Sequence, residues 1–284
     1  MYSQLLFLSI IISIAAGGLI DVPVACLRDE PRHAAQLVSQ AVMGTPVEVS
    51  DTTGEWLRVT TPDGYSGYMT SASVTLRDLD EWRNASRAVV TDPAGCVLTD
   101  NNGAVVVRLP LNSIVETTDD GSYALPDGRS GTSSVKLASI EEWASQPFDG
   151  DKITDTAYAL LGAPYLWGGM SGAAMDCSGL VGICYMANGR ILRRDAWMQA
   201  ADCDRIDAPS RRGDLIFFDR SGRDRIDHVA IYDRDSLYIH CSGMVKVNAL
   251  TPEHGDTISG SIAGFGRPSD GHASTPVILH PLYF

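Results

Sequence analysis

Tyr165-Leu166-Trp167-Gly168-Gly169, then after a short linker Asp176-Cys177-Ser178-Gly179-Leu180-Val181, sets a Gly-rich turn ahead of an apolar run whose first residue is a cysteine. From Ser178 onward Leu180, Val181, Ile183, Cys184 and Ala187 fall at roughly helical spacing, and Gly189 supplies a stop. The pattern predicts a helix with Cys177 at its N-terminus, where unpaired N–H groups and the macrodipole favour an anion. A thiol so placed is expected to have a lowered pKa and a larger share of reactive thiolate. Cys184, on the same helix face, reads as core. A nucleophilic cysteine also needs a base, and His228 and His240 stand downstream at useful spacing. The expectation is a cysteine hydrolase.

Around this stretch, Ile153 to Leu161 has helical period, with Ala157, Leu160 and Leu161 as its inner face. A polar connection runs from Arg190 to Arg212. Three strands are then expected, at Asp214-Leu215-Ile216-Phe217-Phe218, His228-Val229-Ala230-Ile231-Tyr232 and Leu237-Tyr238-Ile239-His240, with a last one at Gly264-Phe265-Gly266-Arg267-Pro268. Helices followed by strands on short turns read as α+β with an antiparallel sheet. If the turn between the two histidine strands is the three residues Arg234, Asp235 and Ser236, His240 lies opposite Ala230 and both histidines point to one face. A two-residue turn would separate them. The helix of Cys177 packed across that face would bring the thiol to His228.

The first half reads differently. Val22–Leu27, Thr45–Val49 and Glu55–Thr60 are strand candidates, Pro62-Asp63-Gly64 is a tight turn, and Gly67-Tyr68-Met69 opens a closing strand. Short strands at this spacing suggest a small β-barrel. Pro62-Asp63-Gly64-Tyr65-Ser66-Gly67 recurs as Pro126-Asp127-Gly128-Arg129-Ser130-Gly131, and Val74 to Trp82 recurs as Val135 to Trp143. Turn, strand and terminal Trp return in order, so a duplicated barrel is expected.

Bulk properties narrow the function classes. The 284 residues carry a formal net charge of −13, which argues against nucleic acid and against a polybasic membrane-surface role. Leu5 to Ala16 is uncharged and precedes Gly17 and Gly18, a length suited to a signal peptide and short for a membrane span. Export, to a periplasm or cell surface, is the expectation. The six cysteines contain no Cys-x-x-Cys pair, so no zinc site is expected, and a free Cys177 leaves at most two disulfides among the other five.

Two resemblances carry this further. Gly64-Tyr65-Ser66-Gly67-Tyr68-Met69 and Arg28-x-x-Pro31 resemble bacterial SH3-like (SH3b) domains, and the repeat implies two. Asp176-Cys177-Ser178-Gly179, Gly213-Asp214-Leu215-Ile216-Phe217-Phe218, His228-Val229-Ala230-Ile231-Tyr232 and His240 resemble the NlpC/P60 cysteine peptidases, with a papain-like core. The implied organisation is a signal segment at 1–18, SH3b domains at 19–82 and 83–145, and a peptidase domain at 146–284. The resemblance implies Cys177 as nucleophile, His228 as base, His240 as the residue orienting it, and Tyr165 beside the oxyanion site; Ser178 and Trp167 are further substrate-binding candidates. Cys241 stands where the family more often has a small residue.

With two SH3b domains the chain looks like the γ-D-glutamyl-L-diamino acid endopeptidases acting on stem peptides with a free N-terminal L-Ala. That subgroup implies an acidic residue for the substrate ammonium, here Asp195 of Arg194-Asp195-Ala196-Trp197, and Tyr65 as the matching candidate from the first barrel. A solvated Asp195 paired with Arg193 or Arg194 is the plain alternative. No cofactor or metal is implied, and a monomer without a stable membrane span is expected. The competing readings are a non-catalytic wall-binding protein and an endolysin-like hydrolase or amidase of intact peptidoglycan.

Overall fold

In the first third of the chain, apolar residues alternate with polar ones, and the alternation is what the backbone uses. Val47, Val49, Leu57, Val59 and Met69 are all buried together. They belong to an antiparallel sheet of seven strands, ordered Leu37–Val42, Val24–Arg28, Ser66–Thr70, Trp56–Thr60, Pro46–Thr53, Ala16–Ile20 and Val74–Leu76. The computed structural model describes residues 16–251, 261–268 and 275–284. Most of the expected signal segment therefore lies outside the described residues. Ala16, Gly17 and Gly18 form the start of a strand paired with both Pro46–Thr53 and Val74–Leu76.

The expected barrel does not close. The ladder ends at Leu37–Val42, and that edge meets the turn that follows Gly168-Gly169 instead of the far strand: the Met170 N–H donates to Gln40 Oε1 at 3.0 Å. An edge strand must be covered by something, and here a neighbouring domain covers it.

The second unit has a five-stranded sheet, ordered Ser130–Gly131, Tyr123–Ala124, Ile114–Thr117, Arg87–Val89 and Ala138–Ser139, and a hairpin of Cys96–Thr99 and Val105–Leu109 bridged to it by paired backbone bonds between Thr99 and Thr132. The repeated turn is a structural repeat too. Gly64 and Gly128 both have positive φ, at 76° and 88°, and the amides of Tyr65 and Arg129 each bond the Asp two residues before. Each unit ends in a short helix, Leu79–Asn84 or Ile140–Ala144, capped by Asp78 or Ser139. Their Trp82 and Trp143 are buried against Tyr283 near the chain's end, with ring centroids 6.3 and 6.1 Å from it. That role for the tail has no sequence signal.

The remaining chain builds an antiparallel sheet of six strands, ordered Asp204–Ile206, Ser261–Arg267, Leu215–Asp219, His228–Tyr232, Leu237–Ser242 and Met244–Ala249. The helices Gly150–Ala159 and Cys177–Ala187 pack together, and the latter also lies on His228–Tyr232. The fold is α+β as expected, with two differences. The polar connection holds the helix Ala196–Asp202 and the strand Asp204–Ile206, and Met244–Ala249 adds an unexpected edge strand. Ile153, Ala157 and Leu160 face the core, whereas Leu161 is 45% exposed because the helix has already ended at Ala159. All six cysteines are free thiols. Among the described residues no helix is long and apolar enough to cross a membrane.

Candidate active site

The Cys177–Ala187 helix begins at Cys177 because Asp176 caps it: its Oδ1 accepts the Gly179 N–H at 2.8 Å. The amides of Cys177 and Ser178 stay outside the helix ladder, where they can serve a developing oxyanion. Close approach explains the glycines. A Cβ at Gly179 would lie 2.2 Å from the Gly169 carbonyl oxygen. Gly168, with φ +77°, passes so close to the first sheet that a Cβ there would sit 2.7 Å from the Leu37 oxygen.

The histidine strands meet as their spacing requires. Ile231 pairs with Ile239 and Tyr232 with Tyr238, around the three-residue turn Arg234, Asp235 and Ser236. Asp235 and Ser236 take left-handed φ of 50° and 67° to make that turn. Both histidines then share a face, and His228 Nε2 lies 2.9 Å from His240 Nδ1. With Nε2 donating to His240, Nδ1 of His228 is the free base, and it is buried with no hydrogen-bond partner. The Cys177 sulfur lies close enough to the same strand for the amides of Val229 and Ser178 to favour its anion.

Electrostatics overturn one expectation. Burial, and then the Asp176 carboxylate, push the Cys177 thiol up to about 11, against weaker help from those amides and Arg194. Burial, then Arg220 and His240, push His228 down to about 2. The helix terminus does not make a resting thiolate here, because desolvation of a buried sulfur outweighs it. Both groups are thereby favoured in their neutral forms, so a sulfur acting as nucleophile would have to give up its proton as it attacks.

Around Cys177 lies a cleft lined by Tyr65, Tyr165, Trp167, Ser178, Asp195 and Trp197, among others. Every substrate-binding candidate from the sequence is thus on one wall or another. Tyr65 of the first domain donates from its hydroxyl to Asp195 Oδ2 at 3.4 Å. Burial, then Asp195, raise the Tyr65 pKa, so the phenol keeps its proton. Burial, with Cys177 next, likewise raises that of Tyr165. The plain alternative for Asp195 is not what forms: Arg193 pairs with Asp202, and Arg194 with Asp176. Trp167 and Trp197 are 61% and 42% exposed, so they line the cleft and do not fill the core. Cys241 is buried, its S–H donating to the Met175 carbonyl at 3.1 Å, which gives that position a structural account.

Sequence reasoning missed Arg194 and Asp176. Arg194, 2% exposed, donates from Nη1 to Asp176 Oδ1 at 3.0 Å and to Ser178 Oγ at 2.9 Å, and from Nε to Ser39 Oγ of the first domain at 3.1 Å. Asp176 Oδ2 also takes the Gly168 N–H at 2.9 Å. One buried ion pair therefore joins the cap of the Cys177 helix, the Gly-rich turn and the first sheet. The Ser178 hydroxyl is engaged in this network as well as reaching the cleft. The available signal was an acidic N-cap directly before the nucleophile.

Comparison with known proteins agrees with this geometry. Residues 162–257 match the NlpC/P60 family, and residues 27–74 match the bacterial dipeptidyl-peptidase Sh3 domain. The γ-D-glutamyl-L-lysine dipeptidyl-peptidase of Bacillus cereus (strain ATCC 10987 / NRS 248) is 30% identical over 233 residues, covering 73% of this chain and 68% of that one. The chain belongs to the NlpC/P60 family. A second relative, dipeptidyl-peptidase 6 of Lysinibacillus sphaericus, is 29% identical over 84% of this chain and 93% of its own. The crystal structure of an NlpC/P60 family protein from Bacillus cereus ATCC 10987 shares the fold, with a TM-score of 0.75 at 23% identity over 89% of this chain and 99% of that one. As an NlpC/P60 cysteine peptidase, the protein carries an N-terminal SH3-like domain followed by the α+β peptidase fold.

Proposed function

We propose that this protein is a cell-wall peptide hydrolase that cleaves the γ-D-glutamyl–diamino acid bond of stem peptides bearing a free N-terminal L-Ala. Cys177 attacks the γ-carbonyl, the amides at the start of its helix hold the oxyanion, and His228, oriented by His240, gives its proton to the leaving amine. Water then releases the acyl-enzyme with His228 as base. The names of the relatives support this bond, and the observation that carries the reading is the meeting of Tyr65 and Asp195 in the cleft of Cys177. A carboxylate held there by a protonated phenol suits a substrate ammonium, and a wall from another domain suits a short substrate end.

The repeated turn and the repeated terminal Trp support residues 83–145 as a second SH3-like domain, open like the first. The uncharged run that begins at Leu5 supports export, to a periplasm or cell surface, with a cleavage point ahead of the strand that Gly17 and Gly18 enter, and a monomer acts there. The test is hydrolysis of L-Ala-γ-D-Glu-diaminopimelate beside its N-acetylated form. Acetylation is expected to lower kcat/KM by at least about tenfold, the equivalent of one charge-assisted contact. Equal rates on both would remove the ammonium pocket.

A further inference from the structure

The cleft has a second charged wall that the reading above leaves unused. Between the strands Leu215–Asp219 and His228–Tyr232 the loop carries Arg220, Arg223 and Arg225 beside Asp219, Asp224 and Asp227. Formal charge cancels, but the acids and the bases do different things. Asp219 accepts from Ser221 Oγ and from the amides of Arg223 and Arg225, and Asp227 accepts from the amides of Arg220 and Ser221. These carboxylates fold the loop. The side chains of Arg223 and Arg225 are exposed and make no ion pair or hydrogen bond among the described residues, and Arg220 has only Asp227, at 3.7 Å. All three arginines line the cleft, and of the loop's acids only Asp227 does. In a chain of net charge −13, three arginines thus line the same cleft as the carboxylate of Asp195.

Position says which part of a substrate meets that wall. His228 must reach the leaving nitrogen, and the loop runs straight into His228, so it flanks the leaving residue and not the L-Ala end. Arg220 is also close enough to depress His228. We propose that Arg220, Arg223 and Arg225 form a subsite for a carboxylate on the leaving diamino acid. The inference rests on the function proposed above and extends it. Two carboxylates would fit: the side-chain carboxylate of diaminopimelate, and the α-carboxylate of a tripeptide that ends at the diamino acid. Guanidinium groups suit either through paired hydrogen bonds.

The test compares wild type with Arg223→Gln/Arg225→Gln on three substrates: L-Ala-γ-D-Glu-diaminopimelate, the same tripeptide ending in L-Lys, and its L-Lys carboxamide. The double substitution is expected to lower the diaminopimelate-to-carboxamide ratio of kcat/KM by about tenfold, the size of one charge-assisted bond. An equal fall for the L-Lys acid assigns the α-carboxylate, and no fall there assigns the side-chain carboxylate. A ratio that stays put overturns the subsite. Calorimetric binding of free diaminopimelate to Cys177→Ala, with and without the two substitutions, separates the two proposals. Arginine-dependent binding without turnover by wild type keeps the subsite and sinks the proposed reaction. Binding that ignores the arginines sinks the subsite.

Discussion

Replacing Arg194 by Met should destabilise this protein strongly, although the side chain is charged and lies in a polar stretch of sequence. The guanidinium and Asp176 are 2% and 7% exposed, so methionine would leave a carboxylate bare in a buried site. Removing one partner of a buried pair costs about 3–5 kcal/mol. Asp176 keeps the amides of Gly168 and Gly179, which places the expected loss toward the lower half of that range. Urea unfolding of Arg194→Met, Asp176→Asn and the double variant gives the interaction energy. The double variant should be more stable than the sum of the single losses allows, because no bare charge remains. Alkylation by iodoacetamide against pH gives a second readout. Arg194 favours the Cys177 thiolate and Asp176 opposes it, so Arg194→Met should raise the thiol pKa and Asp176→Asn should lower it. A loss under about 1 kcal/mol, the scale of an exposed pair, together with unmoved alkylation profiles, would refute the account of this network.

Cys177→Ala should abolish peptide hydrolysis while leaving the urea midpoint close to wild type, since it removes the nucleophile and one buried sulfur; residual turnover above a few per cent would sink the acyl-enzyme route. His240→Ala should lower kcat far more than it raises KM, because it releases the tautomer of His228 without touching the walls of the cleft; a change confined to KM would contradict the orienting role. Acid should unfold the protein partly through His228. Its pKa falls from 6.5 to about 2 on folding, so its contribution is complete above pH 6.5 and is lost below that at about 1.4 kcal/mol per pH unit. His228→Gln should flatten the fall in stability between pH 6 and pH 4, read by thermal unfolding; an unchanged slope would say that the imidazole is not held neutral by the fold.

The peptidase core was legible because helical period, the Gly189 stop and turn length all point the same way. Leu180, Val181, Ile183 and Cys184 set the helix, and the three residues Arg234 to Ser236 fix the register that puts both histidines on one face. The open ladder of the first sheet was not legible, since local alternation in Val24–Arg28 or Trp56–Thr60 says nothing about what covers the edge at Leu37–Val42. Nor was the protonation of Cys177: a helix N-terminus is visible in sequence, whereas the desolvation that outweighs it depends on residues packed from elsewhere. Arg194 escaped for the same reason. Its partners Ser39 and Asp176 are far from it in the chain, and an arginine in a polar stretch gives no hint that it is buried.

Consecutive residues in that stretch face opposite duties. Arg194 is locked to the helix cap and to Ser39, and Asp195 opens toward Tyr65. The grip that seats the first domain and the carboxylate that meets Tyr65 in the cleft are therefore neighbours on one backbone. Loosening the seat would shift that carboxylate too, so excising the first domain would strip Asp195 of its phenol partner and the helix cap of its brace in one cut.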